Sequence, residues 1–140
     1  MAYCTQSDLL NQLTQAELVQ LTNDTGGGTV DTTKVDAAIA AASATIDAYA
    51  GARYTLPLQA SDKIKQLAVD LAIYELEKRR RRVRGATLAA RDGALSFLRD
   101  LARGQAVLDQ PAGAPAQTSE AEVKKTEQER IFSDEKLEGF

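Results

Sequence analysis

Between Ile46 and Leu58 the chain reads IDAYAGARYTLPL, and this stretch limits the fold more than any other. An alanine-rich run ends at Gly51, a residue suited to the position just past a helix end. Pro57 disfavours helical dihedrals at Leu56, so Thr55-Leu56 is predicted to be extended. The chain must leave one helix, cross a short link and enter a second. Tyr54, Leu56 and Leu58 alternate along that link, which points all three one way, onto the flanking helices. In a buried site, Leu56 cut back to Ala would cost about 2–5 kcal/mol. Arg53 and Gln59 are left to face solvent or a partner.

The flanking runs have helical periodicity. Val35, Ile39, Ala42, Ile46 and Tyr49 recur at spacings of four and three, one face of an amphipathic helix with Asp31 or Thr33 as its cap. After the link, Ser61 or Asp62 starts the longest helix, expected to reach about Val83. Ile64, Leu67, Ala68, Leu71, Tyr74 and Glu75 trace its apolar face, and Ile73 and Leu76 widen it. Asp70, Glu75, Glu77 and Lys78 supply polar positions. A face this wide marks a central helix with neighbours on several sides. Thr87 is predicted to cap a third long helix over Leu88, Arg91, Leu95, Leu98, Leu101 and Ala102, widened by Phe97 and closed at Gly104. Ahead of all three, Thr5-Gln6-Ser7-Asp8 and Thr14-Gln15-Ala16-Glu17 are two capping boxes, so two short helices are expected, to about Leu13 and Thr22.

The predicted class is therefore all-α. A small bundle of two short N-terminal helices and three longer ones fills residues 1–104, and a linker with an extended C-terminal arm fills 105–140. Ala106-Val107-Leu108 is a candidate strand in need of a partner edge. Of the apolar residues, 24 are Ala, so large core side chains are few and partners are expected to add stability.

Chemistry is constrained by what the chain lacks. It has no histidine, which removes the usual general base and the His-containing metal sites. Cys4 stands alone, so an internal disulfide is excluded and a reduced cytoplasmic setting fits. Gly26-Gly27-Gly28 predicts a mobile loop, but without the spacing or the lysine of a phosphate-binding loop. No enzyme, metal or cofactor is expected. No apolar run of about 18 residues occurs, so no membrane helix is expected, and the opening residues do not resemble a secretory signal.

Charge is unevenly spread. Residues 61–104 carry a balance of +5 between two segments of −4 each. The basic excess gathers at Arg79, Arg80, Arg81, Arg82 and Arg84. Such a cluster is either a solvated helix end favoured by the helix dipole or a contact patch for phosphate or an acidic surface. On a continuous helix these arginines would point all round. The tail is polar until Ile131, Phe132, Leu137 and Phe140, the expected anchors of a binding arm.

Three stretches together resemble one family. They are the opening Met-Ala-Tyr-Cys-Thr-Gln-Ser-Asp-Leu, the run Ile46-Asp47-Ala48-Tyr49 to Arg53-Tyr54-Thr55-Leu56-Pro57-Leu58, and the tail Phe132-Ser133-Asp134-Glu135-Lys136-Leu137-Glu138-Gly139-Phe140. The family is that of the Mu-like phage and prophage head–tail connector proteins, also called adaptor or head-completion proteins. The Gly26–Gly28 loop departs from it. The resemblance implies a structural virion protein: a small helical subunit in a ring beneath the portal, commonly of twelve copies, extending the DNA channel and docking the neck or tail. It implies as partners the portal protein, neighbouring copies and a neck or tail-completion protein, and as location the virion neck, with the host cytoplasm during assembly. In that setting the arginines would meet portal acids or, without sequence reading, channel DNA. The alternative from the residues alone is a small helical nucleic-acid-binding regulator that uses Arg79–Arg84.

Overall fold

A computed structural model describes residues 1–111. It contains five helices: α1 (Gln6–Leu10), α2 (Gln15–Thr22), α3 (Thr32–Ala50), α4 (Asp62–Arg79) and α5 (Gly85–Arg103). Among the described residues there is no strand. The arm anchors Ile131, Phe132, Leu137 and Phe140 lie outside the described residues.

Local chemistry explains the starts. In both short helices the threonine hydroxyl accepts the N3 amide, and the N3 carboxylate accepts the threonine amide, at Thr5/Asp8 and Thr14/Glu17. Asp31 caps α3 by accepting from Thr33 and Lys34, and Ser61 caps α4 by accepting from Ile64.

The α4 helix is the axis of the bundle and touches each of the other four. It buries Ile64, Leu67, Ala68, Val69, Leu71, Ala72, Ile73 and Leu76, a face broader than a surface helix presents. Its widest contact is with α3, which turns Val35, Ala38, Ile39, Ala42, Ile46 and Ala50 inward. On both helices the buried alanines leave room for close backbone approach. From α5, Ala94, Leu95, Leu98 and Leu101 complete the core, and Leu9, Leu13 and Leu18 close one end.

The link behaves partly as expected. Tyr54 and Leu58 are buried, but Leu56 is 42% exposed. The chain bends at Leu56 and Pro57 instead of running straight, so the alternation fails and Leu56 turns outward. Gly51 is also not left-handed; its φ is −60°. Glycine is needed there for space, because a Cβ would lie 2.9 Å from the Asp47 carbonyl oxygen.

The segment after Gly104 does not form the expected strand. The Leu108 amide donates to Tyr54 Oη at 2.9 Å and its side chain enters the core, while Val107 stays exposed. The Gln59 amide donates to Gln110 Oε1 at 2.8 Å. The Leu108 amide is satisfied by the Tyr54 side chain of the link, and the Gln59 amide of the link by the Gln110 side chain, so the segment docks on its own fold rather than on a partner edge. The N-terminus is tied to the same place. Tyr3 Oη donates to Asp47 and accepts the Leu58 amide at 3.1 Å, and the Tyr3 amide donates to Ser43 Oγ at 3.2 Å. One link thus holds both flanks of the helical bundle.

Two further expectations change. The α4 helix ends at Arg79, not near Val83, and α5 begins at Gly85 rather than at a Thr87 cap. Thr87 is buried within the first turn of α5, and Leu88 is 44% exposed instead of in the core.

Candidate interaction surface at the α4–α5 corner

The end of α4 is set by its backbone. The Arg81 amide donates to Lys78 O at 2.9 Å and the Arg82 amide to Glu77 O at 3.2 Å, while Arg81 takes φ +55°. These are the paired bonds of a Schellman motif. The α5 helix closes the same way, with the Gly104 amide to Leu101 O, the Gln105 amide to Asp100 O and φ +79° at Gly104. At α5 the left-handed position holds glycine; at α4 it holds an arginine.

Because the helix stops there, the arginines do not point all round it. They divide into two groups. Arg79 meets Asp24 with both terminal nitrogens, at 3.0 and 2.9 Å, and donates to Leu21 O at 2.9 Å. Arg80 donates to Gln20 O and Asn23 O and lies 3.2 Å from Asp24. The two therefore fasten α4 to the end of α2 and the loop beyond it. Asp24 also holds Lys34, on α3, so one carboxylate joins three elements. The Arg79 guanidinium, then Lys34, hold its carboxyl well below the usual range. Asn23 orders the same loop, accepting from Thr25 and donating to Thr29 O at 2.9 Å. The triple-glycine segment is therefore bracketed by side-chain bonds.

Arg84 works in the opposite direction. Its Nε donates to Glu77 at 2.6 Å, its amide to the other Glu77 oxygen at 2.9 Å, and its Nη1 to Glu17 at 3.2 Å. The Glu77 side chain is 2% exposed. Lying at the N-terminus of α5, its carboxylate accepts the N-cap amide of Arg84 and complements the helix dipole there, while α5 itself has no side-chain cap. Sequence reading placed Glu77 among the polar positions of the helix, with no partner assigned. The signal that could have found it is the run of like charge that follows, which requires a nearby anion.

Arg81 and Arg82 are left over. Both are exposed, and among the described residues no carboxylate lies within 4 Å of either. Among the described residues the corner thus carries two cations without a carboxylate partner, with Val83 and Leu88 exposed beside them in sequence. Cys4 is buried, and burial pushes its thiol up to about 11, away from the reactive thiolate.

A model of the family described as Bacteriophage Mu, Gp36 matches residues 3–126. The chain belongs to this phage family. No curated protein matches the chain. The match takes in Tyr3, all five helices, the Ile46–Leu58 link and the docked Leu108, and stops short of Ile131. Membership of the family points to a phage structural or morphogenesis protein.

Proposed function

We propose that the protein is a head–tail connector subunit, which packs against copies of itself in a ring under the portal and joins the capsid to the neck or tail. The observation that carries this reading is the family match over most of the chain. The geometry supports it in two ways. The outer side of α3 exposes Ala37, Ala40, Ala41, Ala44 and Ala48, a smooth face that a neighbouring subunit can approach closely. A face of this kind on one side and a basic corner on another suit a head-to-tail contact, which closes into a ring when the rotation allows. In addition, Tyr54 fixes Leu108, so the tail leaves the helical bundle from a defined point. From there Ile131, Phe132, Leu137 and Phe140 would reach the portal or a neighbour. Arg81 and Arg82 would meet portal acids or channel DNA.

The test is to mix the purified protein with its cognate portal particles and score attachment by sedimentation and light scattering. Attachment that is lost on deleting residues 120–140, with helical content retained, is the expected result. No attachment to portal or neck protein, under conditions where assembly proceeds, sinks the proposal.

The regulator reading draws on the same arginines and is less well supported. Three of the five are engaged within the fold. With two free arginines, a phosphate-binding mode would show a salt slope of only about −2.

A further inference from the structure

Between α2 and the α4–α5 turn lies a groove of about 390 Å³, lined by Glu17, Gln20, Leu21, Glu77, Arg82 and Arg84. Leu21 gives it an apolar wall, and Val83 and Leu88 extend apolar surface along the chain from Arg82 and Arg84. Asp24, Glu77 and Glu17 are matched by Arg79, Arg80 and Arg84, which leaves Arg81 and Arg82 as an excess of two positive charges. Arg81 keeps its place despite a left-handed backbone that glycine would adopt without penalty. A strained residue with an unused charge suggests that its side chain has a task.

We propose that in the free subunit residues 131–140 of the same chain dock on this groove. The groove lining is itself neutral, Glu17 and Glu77 against Arg82 and Arg84, so the segment IFSDEKLEGF complements the apolar wall of the groove and the positive excess of the corner that includes Arg81. Asp134, Glu135 and Glu138 against Lys136 give it a balance of −2, and Ile131, Phe132, Leu137 and Phe140 supply apolar side chains. Reach decides for the chain's own segment over that of a second copy. The tail leaves beside Gln59, next to the N-terminus of α4, and the groove lies at the C-terminal end of that 18-residue helix. At 1.5 Å per residue the two are about 27 Å apart. About twenty residues separate Pro111 from Ile131, and even at the 1.5 Å per residue of an α-helix that length spans about 30 Å, enough to reach the groove. Because the segment is tethered to the chain that carries the groove, its contact is intramolecular and outcompetes that of a second copy at ordinary protein concentrations. The arm is then held on the corner until another surface displaces it. This contact belongs to the free subunit and stands or falls separately from portal attachment.

Amide NMR spectra of the full chain test it. The full chain is compared with its Phe132→Ala/Leu137→Ala/Phe140→Ala variant at low salt. Shift differences centred on Gln20, Leu21 and residues 81–88 are expected. They should vanish in Arg81→Glu/Arg82→Glu and weaken in about 1 M salt, where the screening length is ~3 Å. A tail variant, Asp134→Asn/Glu135→Gln/Glu138→Gln, should lose the same shifts without touching the helices, which covers misfolding of the arginine variant. Coincident spectra, or shifts mapping to another face, overturn the proposal. Shifts that grow with protein concentration over a hundredfold range assign the contact to a second copy and overturn it equally.

Discussion

At the scale of single residues, Leu56 and Leu58 carry the same side chain two positions apart and should behave differently. Leu58 is 3% exposed, and Leu58→Ala is expected to cost about 2–5 kcal/mol by urea denaturation. Leu56→Ala should cost less than about 1 kcal/mol, because much of the side chain already faces water. Alternation in the sequence predicted the two to be equal. It was legible that the link packs on the helices; the bend at Leu56 and Pro57 was not, because a period-two pattern assumes a straight chain. Arg81 offers a second test. A left-handed conformation costs an L-residue roughly 1–2 kcal/mol. Glycine's larger entropy loss offsets roughly 0.5–1 kcal/mol of that. Arg81→Gly is thus expected to stabilise the protein by about 0.5–1 kcal/mol in urea at about 1 M salt, where surface charge is screened.

At the scale of elements, the starts of the first four helices were legible, but the end of α4 and the start of α5 were not. Caps act locally: Thr5 with Asp8, Thr14 with Glu17, Asp31 and Ser61 each satisfy amides two or three residues away, so their signal sits in a short window of sequence. The end of α4 has no such signal. Arginine is a good helix former, and nothing in KRRRRVRG before Gly85 marks a stop. The stop comes from contacts distant in sequence: Arg79 and Arg80 reach the loop after α2, and Glu77 takes the Arg84 amide so that α5 can begin. For the same reason the arginine cluster was legible as a candidate site, but its division into three engaged and two free members was not. The pairing of Glu77 with Arg84 can be tested directly. Arg84→Ala would leave a buried carboxylate held only by a backbone amide. Such an orphan costs about 3–5 kcal/mol when fully enclosed. Since the Arg84 side chain is 55% exposed, water reaches the site and about 2–3 kcal/mol is expected by denaturant titration. Arg84→Lys should recover only part of this, because lysine cannot reproduce the Nε and Nη1 fork to Glu77 and Glu17.

At the scale of the whole molecule, the bundle has a thin alanine-rich core and is tied by carboxylates at its helix starts and where α2, α3 and α4 meet. Asp8 and Glu17 are held below the usual carboxylate range chiefly by the amides of Thr5 and Thr14, Asp24 by Arg79, and Asp31 by Lys34. A carboxyl whose folded pKa is depressed adds stability above its unfolded value, near 4, and loses it as the pH falls through the folded value. Four groups share this sign. Asp70 has the opposite one, because burial raises its pKa and protonation relieves it. The four outweigh the one, so Tm should be level from about pH 7 to 5 and fall below about pH 4. Asp24 joins α2, α3 and α4 through Arg79, Arg80 and Lys34, so its share of that fall should be the one that reports on the assembly of the bundle. Asp24→Asn is expected to lower Tm at pH 7 and to flatten the loss between about pH 4 and 2, bringing the two proteins together at the acid end. Parallel curves across the whole range would mean that Asp24 does not link the elements energetically, and that the arginines are held by the Leu21, Gln20 and Asn23 carbonyls alone.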